Sequence, residues 1–110
     1  GVTGMERMKE IMSYLRTNTP KTIGVLTVTR FEDYLASTSV DTATGAKTML
    51  TLPKSDVLTF KLTDGAIVII RPSGTEPKIK AYYTPTGPTK AEAAALEKTI
   101  SDDFAKILGF

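Results

Sequence analysis

From Arg71 to Tyr83 the chain reads Arg-Pro-Ser-Gly-Thr-Glu-Pro-Lys-Ile-Lys-Ala-Tyr-Tyr, which places a guanidinium, two hydroxyls, a glycine and two prolines between two runs of strand-forming residues. Pro72 fixes one backbone angle, Gly74 permits a positive φ and Pro77 carries no N–H, so Ser73-Gly74-Thr75 is expected to take a tight, turned conformation. Successive amides in such a bend can point the same way and form a concavity for an anion. Ser73, Thr75 and Arg71 add donors that suit the terminal oxygens of a phosphate, each charge-assisted bond being worth about 1.5 to 3 kcal/mol. Lys80 stands nearby as an auxiliary cation, and Pro72 and Pro77 constrain the loop.

The loop is not a nucleotide P-loop, since it lacks the Gly-Lys-Ser/Thr ending and leads into a strand, so no helix dipole assists it. The same residues also fit a plain surface turn, with Arg71 paired to Glu76 and with Lys78 and Lys80 on a solvated strand face. Glu76 is awkward beside a phosphate, because a carboxylate repels it unless it orients a neighbouring cation. Other candidates carry less chemistry. Asp102 and Asp103 are adjacent on a helix and point in different directions. Met5, Met8 and Met12 form a packing row. Glu32 and Asp33 lie near Tyr34 with no nucleophile or metal shell in sight. Neither catalytic nor metal-ligating residues are expected in this chain.

The elements that must hold the loop are legible in part. Met5, Met8, Met12 and Leu15 recur at helical spacing and predict a helix over about 5–16, stopped by Asn18, Thr19 and Pro20. The β-branched run from Thr22 to Leu35 reads as a strand, and 37–49, rich in Thr, Ser and Ala, as an irregular excursion. Asp64-Gly65 between two apolar runs predicts a type I′ hairpin turn. With those two residues as the loop, Leu62 faces Ile67, Phe60 faces Ile69 and Leu58 faces Arg71. Thr59, Lys61, Val68 and Ile70 then form the opposite, mixed surface. Ile79, Ala81 and Tyr83 alternate with Lys78, Lys80 and Tyr82 in a further strand. Thr89 with Glu92 predicts a capping box for a last helix whose inward stripe is Ala93, Leu96, Ile100, Phe104 and Ile107, closed by Gly109. The fold class is therefore α+β: a four-stranded, mainly antiparallel sheet with helices on one face, in the order α-β-β-β-β-α.

A length of 110 residues suits a single domain, 1–110, that buries a core without disulfides. With 14 basic and 12 acidic side chains the net charge of +2 is too small to predict a nucleic acid or membrane partner. The absence of cysteine fits a reducing, cytoplasmic setting, and the absence of histidine removes the commonest neutral-pH acid–base group. The chain begins with Gly1 and enters a helical pattern almost at once, as an excised piece of a larger protein would.

The Arg-Pro-Ser-Gly-Thr-Glu-Pro core, preceded by Leu-Pro-Lys-Ser-Asp at 52–56 and the Asp-Gly hairpin, resembles the carboxy-terminal domain of the α-D-phosphohexomutase superfamily, with the phosphoglucomutase branch nearest. The resemblance implies a TATA-box-binding-protein-like sheet with two flanking helices, the fourth domain of a larger enzyme. It further implies that Arg71, Ser73, Gly74 and Thr75 contact the phosphate that is not being transferred, with Lys80 as an auxiliary cation there and Pro72, Glu76 and Pro77 shaping the loop. Glucose 1-phosphate and glucose 6-phosphate would be interconverted through a phosphoserine and glucose 1,6-bisphosphate, with Mg2+. The serine, the Asp-Gly-Asp metal loop and the sugar-reading Glu-Ser motif belong to three preceding domains, so this domain alone is expected to bind no cofactor and to be inactive. Phosphomannomutase, phosphoglucosamine mutase and a stand-alone phosphometabolite-binding module are the competing readings.

Overall fold

The computed structural model describes residues 4–76, 79–84 and 89–108, and in the last stretch the side chains of 89–95, 98, 99, 102 and 106. Helix α1 spans Gly4–Thr17. Met8, Ile11, Met12 and Leu15, at spacings of three and four residues, are its buried stripe. Met5 is 45% exposed, so Ile11 takes the core place expected of Met5. The helix ends as expected: the Asn18 amide donates to the Tyr14 carbonyl at 2.7 Å and the Thr19 hydroxyl to that of Leu15 at 3.0 Å, ahead of Pro20.

Seven strands follow among the described residues, where four were expected. They are β1 (Thr22–Ile23), β2 (Leu26–Asp33), β3 (Thr38–Asp41), β4 (Lys47–Met49), β5 (Leu58–Leu62), β6 (Ile67–Pro72) and β7 (Ile79–Thr84), with α2 (Lys90–Leu108) after them. All pairings are antiparallel, in the order β4-β3-β2-β5-β6-β7, with β1 beside β2. The four expected strands are the contiguous β2-β5-β6-β7 portion.

The additional strands have local causes. The run from Thr22 is broken at Gly24, whose φ of 63° with Val25 outside the left-handed region is a type II′ turn, so the chain reverses between Ile23 and Leu26. The segment expected to be irregular forms β3 and β4. Its reversal is organised by Asp41, whose carboxylate accepts the amides of Ala43 and Thr44 at 2.9 and 3.3 Å. Gly45 follows at φ 76°.

The β5–β6 hairpin corrects the expected register. Asp64 and Gly65 both have positive φ, 63° and 76°, as a type I′ turn requires. The loop nevertheless counts three residues, Thr63–Gly65, because the Leu62 amide bonds the Ala66 carbonyl at 2.8 Å. Phe60 therefore stands opposite Val68 and Leu58 opposite Ile70. A one-residue slip turns every side chain of the second strand over. Val68 and Ile70, expected on the mixed surface, are fully buried with Leu58 and Phe60, whereas Arg71 lies on the other face.

The core is formed by the α1 stripe against the inner sheet face of Val28, Leu58, Phe60, Val68 and Ile70, with Phe31, Ile79, Ala81 and Tyr83 packed at its margin. Phe60 and Phe31 approach at 5.2 Å between ring centroids. A bulge between Val28 and Arg30 lets both Val28 and Phe31 reach this face. Helix α2 begins at the expected cap, with the Glu92 amide donating to the Thr89 hydroxyl at 3.1 Å, and runs beside β1 and β7. Of its expected stripe Ala93 is half-buried, while the side chains of Leu96, Ile100, Phe104 and Ile107, and Gly109, lie outside the described residues. No helix among the described residues is long and apolar enough to cross a membrane.

Candidate functional site

The β6–β7 hairpin carries the loop. Arg71 is the penultimate residue of β6 and stands directly opposite Lys80 of β7, and Pro72 opposite Ile79 forms the last pair. Val68, Ile70 and Ala81 face inward, so period-two alternation sends Arg71, Lys80 and Tyr82 to the outer face. Two cations directly across a ladder repel each other, and neither makes an ion pair with a described residue. The ion pair between Arg71 and Glu76 that a plain surface turn would use is therefore not formed.

Arg71 is held instead by Tyr82. Its Nη2 donates to the Tyr82 hydroxyl at 3.3 Å, and the guanidinium carbon lies 5.9 Å from the ring centroid. The hydrogen bond from Arg71 draws the Tyr82 phenol below its ordinary pKa, slight desolvation opposes this, and the charges of Arg71 and Lys80 add to it. Tyr82 was not among the expected site residues. Its position two residues beyond Lys80 on one strand face was the available signal.

Ser73 is 2% exposed, while Gly74, Thr75 and Glu76 are exposed. The Ser73 Oγ accepts the amides of Thr75 at 3.4 Å and Glu76 at 3.3 Å and lies 3.5 Å from the Thr75 hydroxyl. Two successive amides thus converge on one oxygen. These bonds are long compared with the usual 2.9 to 3.0 Å or so, and correspondingly weak. Gly74 departs from expectation: its φ lies outside the left-handed region, and a Cβ there would meet nothing within 4 Å. The turn is closed by the serine hydroxyl rather than by a left-handed glycine. Pro77 and Lys78 lie outside the described residues.

The other expected candidates serve the fold. Glu32 and Asp33 are 8% and 7% exposed and both are paired, Glu32 with Lys61 at 3.6 Å and Asp33 with Arg16 at 3.0 Å. Asp33 also accepts the amides of Leu35 and Ala36 through its other oxygen. Asp102 is paired with Lys98 on the exposed face of α2, and the Asp103 side chain lies outside the described residues. A groove of about 870 Å³, bordered by Arg16, Val28, Phe31, Val40 and Lys47, shares no residue with the loop. Arg16 in the groove is already neutralised by Asp33 and Asp56.

A family model described as the C-terminal domain of phosphoglucomutase and phosphomannomutase matches residues 15–103. The chain belongs to that family. Among curated relatives, a protein named phosphoglucomutase from Staphylococcus saprophyticus is 39% identical over 84 residues, covering 76% of this chain and 15% of the relative. Proteins of the same name from Staphylococcus aureus strains MSSA476 and USA300 are 39% and 38% identical over the same share of both chains. The chain therefore spans about 15% of the length of the curated relatives it matches. No solved structure matches it. The antiparallel α+β domain described above is consistent with this family, and its three further strands extend the expected core of four.

Proposed function

We propose that this chain, 1–110, is the phosphate-clamping carboxy-terminal domain of a phosphoglucomutase that interconverts glucose 1-phosphate and glucose 6-phosphate. The observation that carries the reading is a pair of cations, Arg71 opposite Lys80, neither of which makes an ion pair with a described residue, beside a bend whose Thr75 and Glu76 amides converge on one oxygen. An arriving phosphate oxygen displaces weak bonds to Ser73, gains the two amides, and relieves the repulsion between Arg71 and Lys80. The absence of a side chain at Gly74 leaves room for that approach.

In the intact enzyme the clamp holds the phosphate that is not being transferred, while a phosphoserine of another domain exchanges its group with the opposite end of the sugar. A glucose 1,6-bisphosphate intermediate then turns round, and the same clamp receives whichever phosphate has become the inert one. Its contribution is to fix the reacting oxygen and exclude water. Mg2+ supplies charge neutralisation at the transferring group. Its ligands would belong to another domain. The isolated domain is accordingly inactive, and its partners are the phosphosugar and the preceding domains of the same cytoplasmic chain.

The test is kinetic, on the intact protein. Arg71→Ala should lower kcat/KM for glucose 1-phosphate by roughly 30-fold, the equivalent of about 2 kcal/mol for lost charge-assisted bonds. Wild-type kinetics in that variant refute the clamp. The family description also names phosphomannomutase. A panel of glucose, mannose and glucosamine phosphates separates these substrates, and phosphosugar binding with no turnover by the intact protein favours a binding module.

A further inference from the structure

We propose that Tyr82 is the positioning residue for Arg71, holding its guanidinium in place on the outer face of the β6–β7 ladder so that it is ready for the phosphate before the phosphate arrives. This rests on the reading of Arg71 as a phosphate ligand and adds to it a residue that contacts Arg71.

The ladder brings the two together. Arg71 is directly opposite Lys80 and diagonal to Tyr82, which is itself opposite Ile69. Diagonal neighbours on one face are within reach when the side chains are long. Repulsion from Lys80 turns the guanidinium away from its direct partner, and the tyrosine receives it with both the hydroxyl and the ring, 3.3 Å from Nη2 and 5.9 Å from centroid to guanidinium carbon. Without such a contact an exposed arginine at the end of a strand samples many rotamers, and ordering it on binding weakens the complex.

The chemistry of the partner matters as much as its position. A carboxylate would hold the guanidinium more firmly but would neutralise it and repel the incoming phosphate. A phenol is neutral at physiological pH, engages one of the five guanidinium N–H groups and leaves the others for a ligand. Tyr82 is 48% exposed and lies outside the core formed by the described residues.

A double-mutant cycle on the intact protein tests this, read as kcat/KM for glucose 1-phosphate. Tyr82→Leu should lower it roughly 5- to 10-fold, the sum of an exposed cation–π contact and one hydrogen bond. Tyr82→Phe, which keeps the ring, should lower it only about 3-fold. In an Arg71→Ala background Tyr82→Leu should change it less than about 2-fold, since a residue that acts through Arg71 has nothing left to position. An equal loss in both backgrounds overturns the inference and leaves the clamp standing. Wild-type behaviour of Arg71→Ala overturns the clamp and the inference with it. If Tyr82→Leu lowers the melting temperature, the Tyr82→Phe arm decides: a loss unchanged by Arg71→Ala refutes positioning, and a loss abolished by it supports positioning.

Discussion

Arg16 is fixed in place by two carboxylates, whereas Arg71 rests against a phenol. Arg16, in the last turn of α1, reaches Asp33 of β2 at 3.0 Å and Asp56 at 2.5 Å. Burial works against its charge, but the hydrogen bond it donates to Asp56 and the charges of both carboxylates outweigh it and raise its pKa above the ordinary value. It fastens the helix end to the sheet. Arg71 rests on Tyr82 at an exposed strand end and makes no ion pair with a described residue. A cation satisfied by anions is committed to the fold, whereas one steadied by a neutral group remains able to attract an anion.

Breaking the first arrangement should have the largest effect. Arg16→Ala leaves Asp33, 7% exposed, without its counter-charge and should cost about 3 kcal/mol of stability, seen as a lower midpoint in urea unfolding. Phosphosugar affinity of the protein that remains folded should be unchanged. Arg71→Ala should show the reverse, an affinity loss of roughly 30-fold, about 2 kcal/mol, with an unchanged urea midpoint. Loss of stability in Arg71→Ala equal to that in Arg16→Ala would erase the distinction.

Gly74→Ala gives a smaller and sharper test. No left-handed φ and no neighbour within 4 Å oppose the methyl group, so the unliganded protein should gain about 0.4 to 1 kcal/mol from a less flexible unfolded chain. If a phosphate approaches the bend at this point, affinity should fall while stability rises. A rise in both places the ligand elsewhere. The smallest effect is ionisation of Tyr82, measured by ultraviolet titration. Its phenol should titrate below the ordinary value near 10 and move back towards it in Arg71→Ala. Because the folded-state pKa is the lower one, the associated stabilisation is lost as pH falls through it and is complete only above the unfolded value.

Much of the scaffold is legible in the order of residues. The α1 stripe, the stop at Asn18-Thr19-Pro20, the Thr89 cap and the alternation of Ile79, Ala81 and Tyr83 are local patterns with local causes. The β1–β2 reversal is hidden because Gly24 sits within β-branched residues that favour a continuous strand. β3 and β4 are hidden because their Ser, Thr and Lys residues line a sheet margin with little apolar alternation. In the site, the residues of the loop are legible as a set, but the partner of Arg71 is not. An Arg-to-Glu pairing five residues apart and an Arg-to-Tyr pairing across a ladder are equally available to a sequence.

The sequence by itself determined which groups are gathered between β6 and β7, where the helices lie and that the chain reverses at Asp64-Gly65, because each depends on a few neighbouring residues. Only the tertiary structure decided which face of β6 is buried, and so that Arg71 projects outward with Lys80 and Tyr82 while Ser73 turns inward. Both turn counts are compatible with the local residues. Burial of Val68 and Ile70 against Phe60 and α1 selects one of them, and the site inherits its direction from that choice.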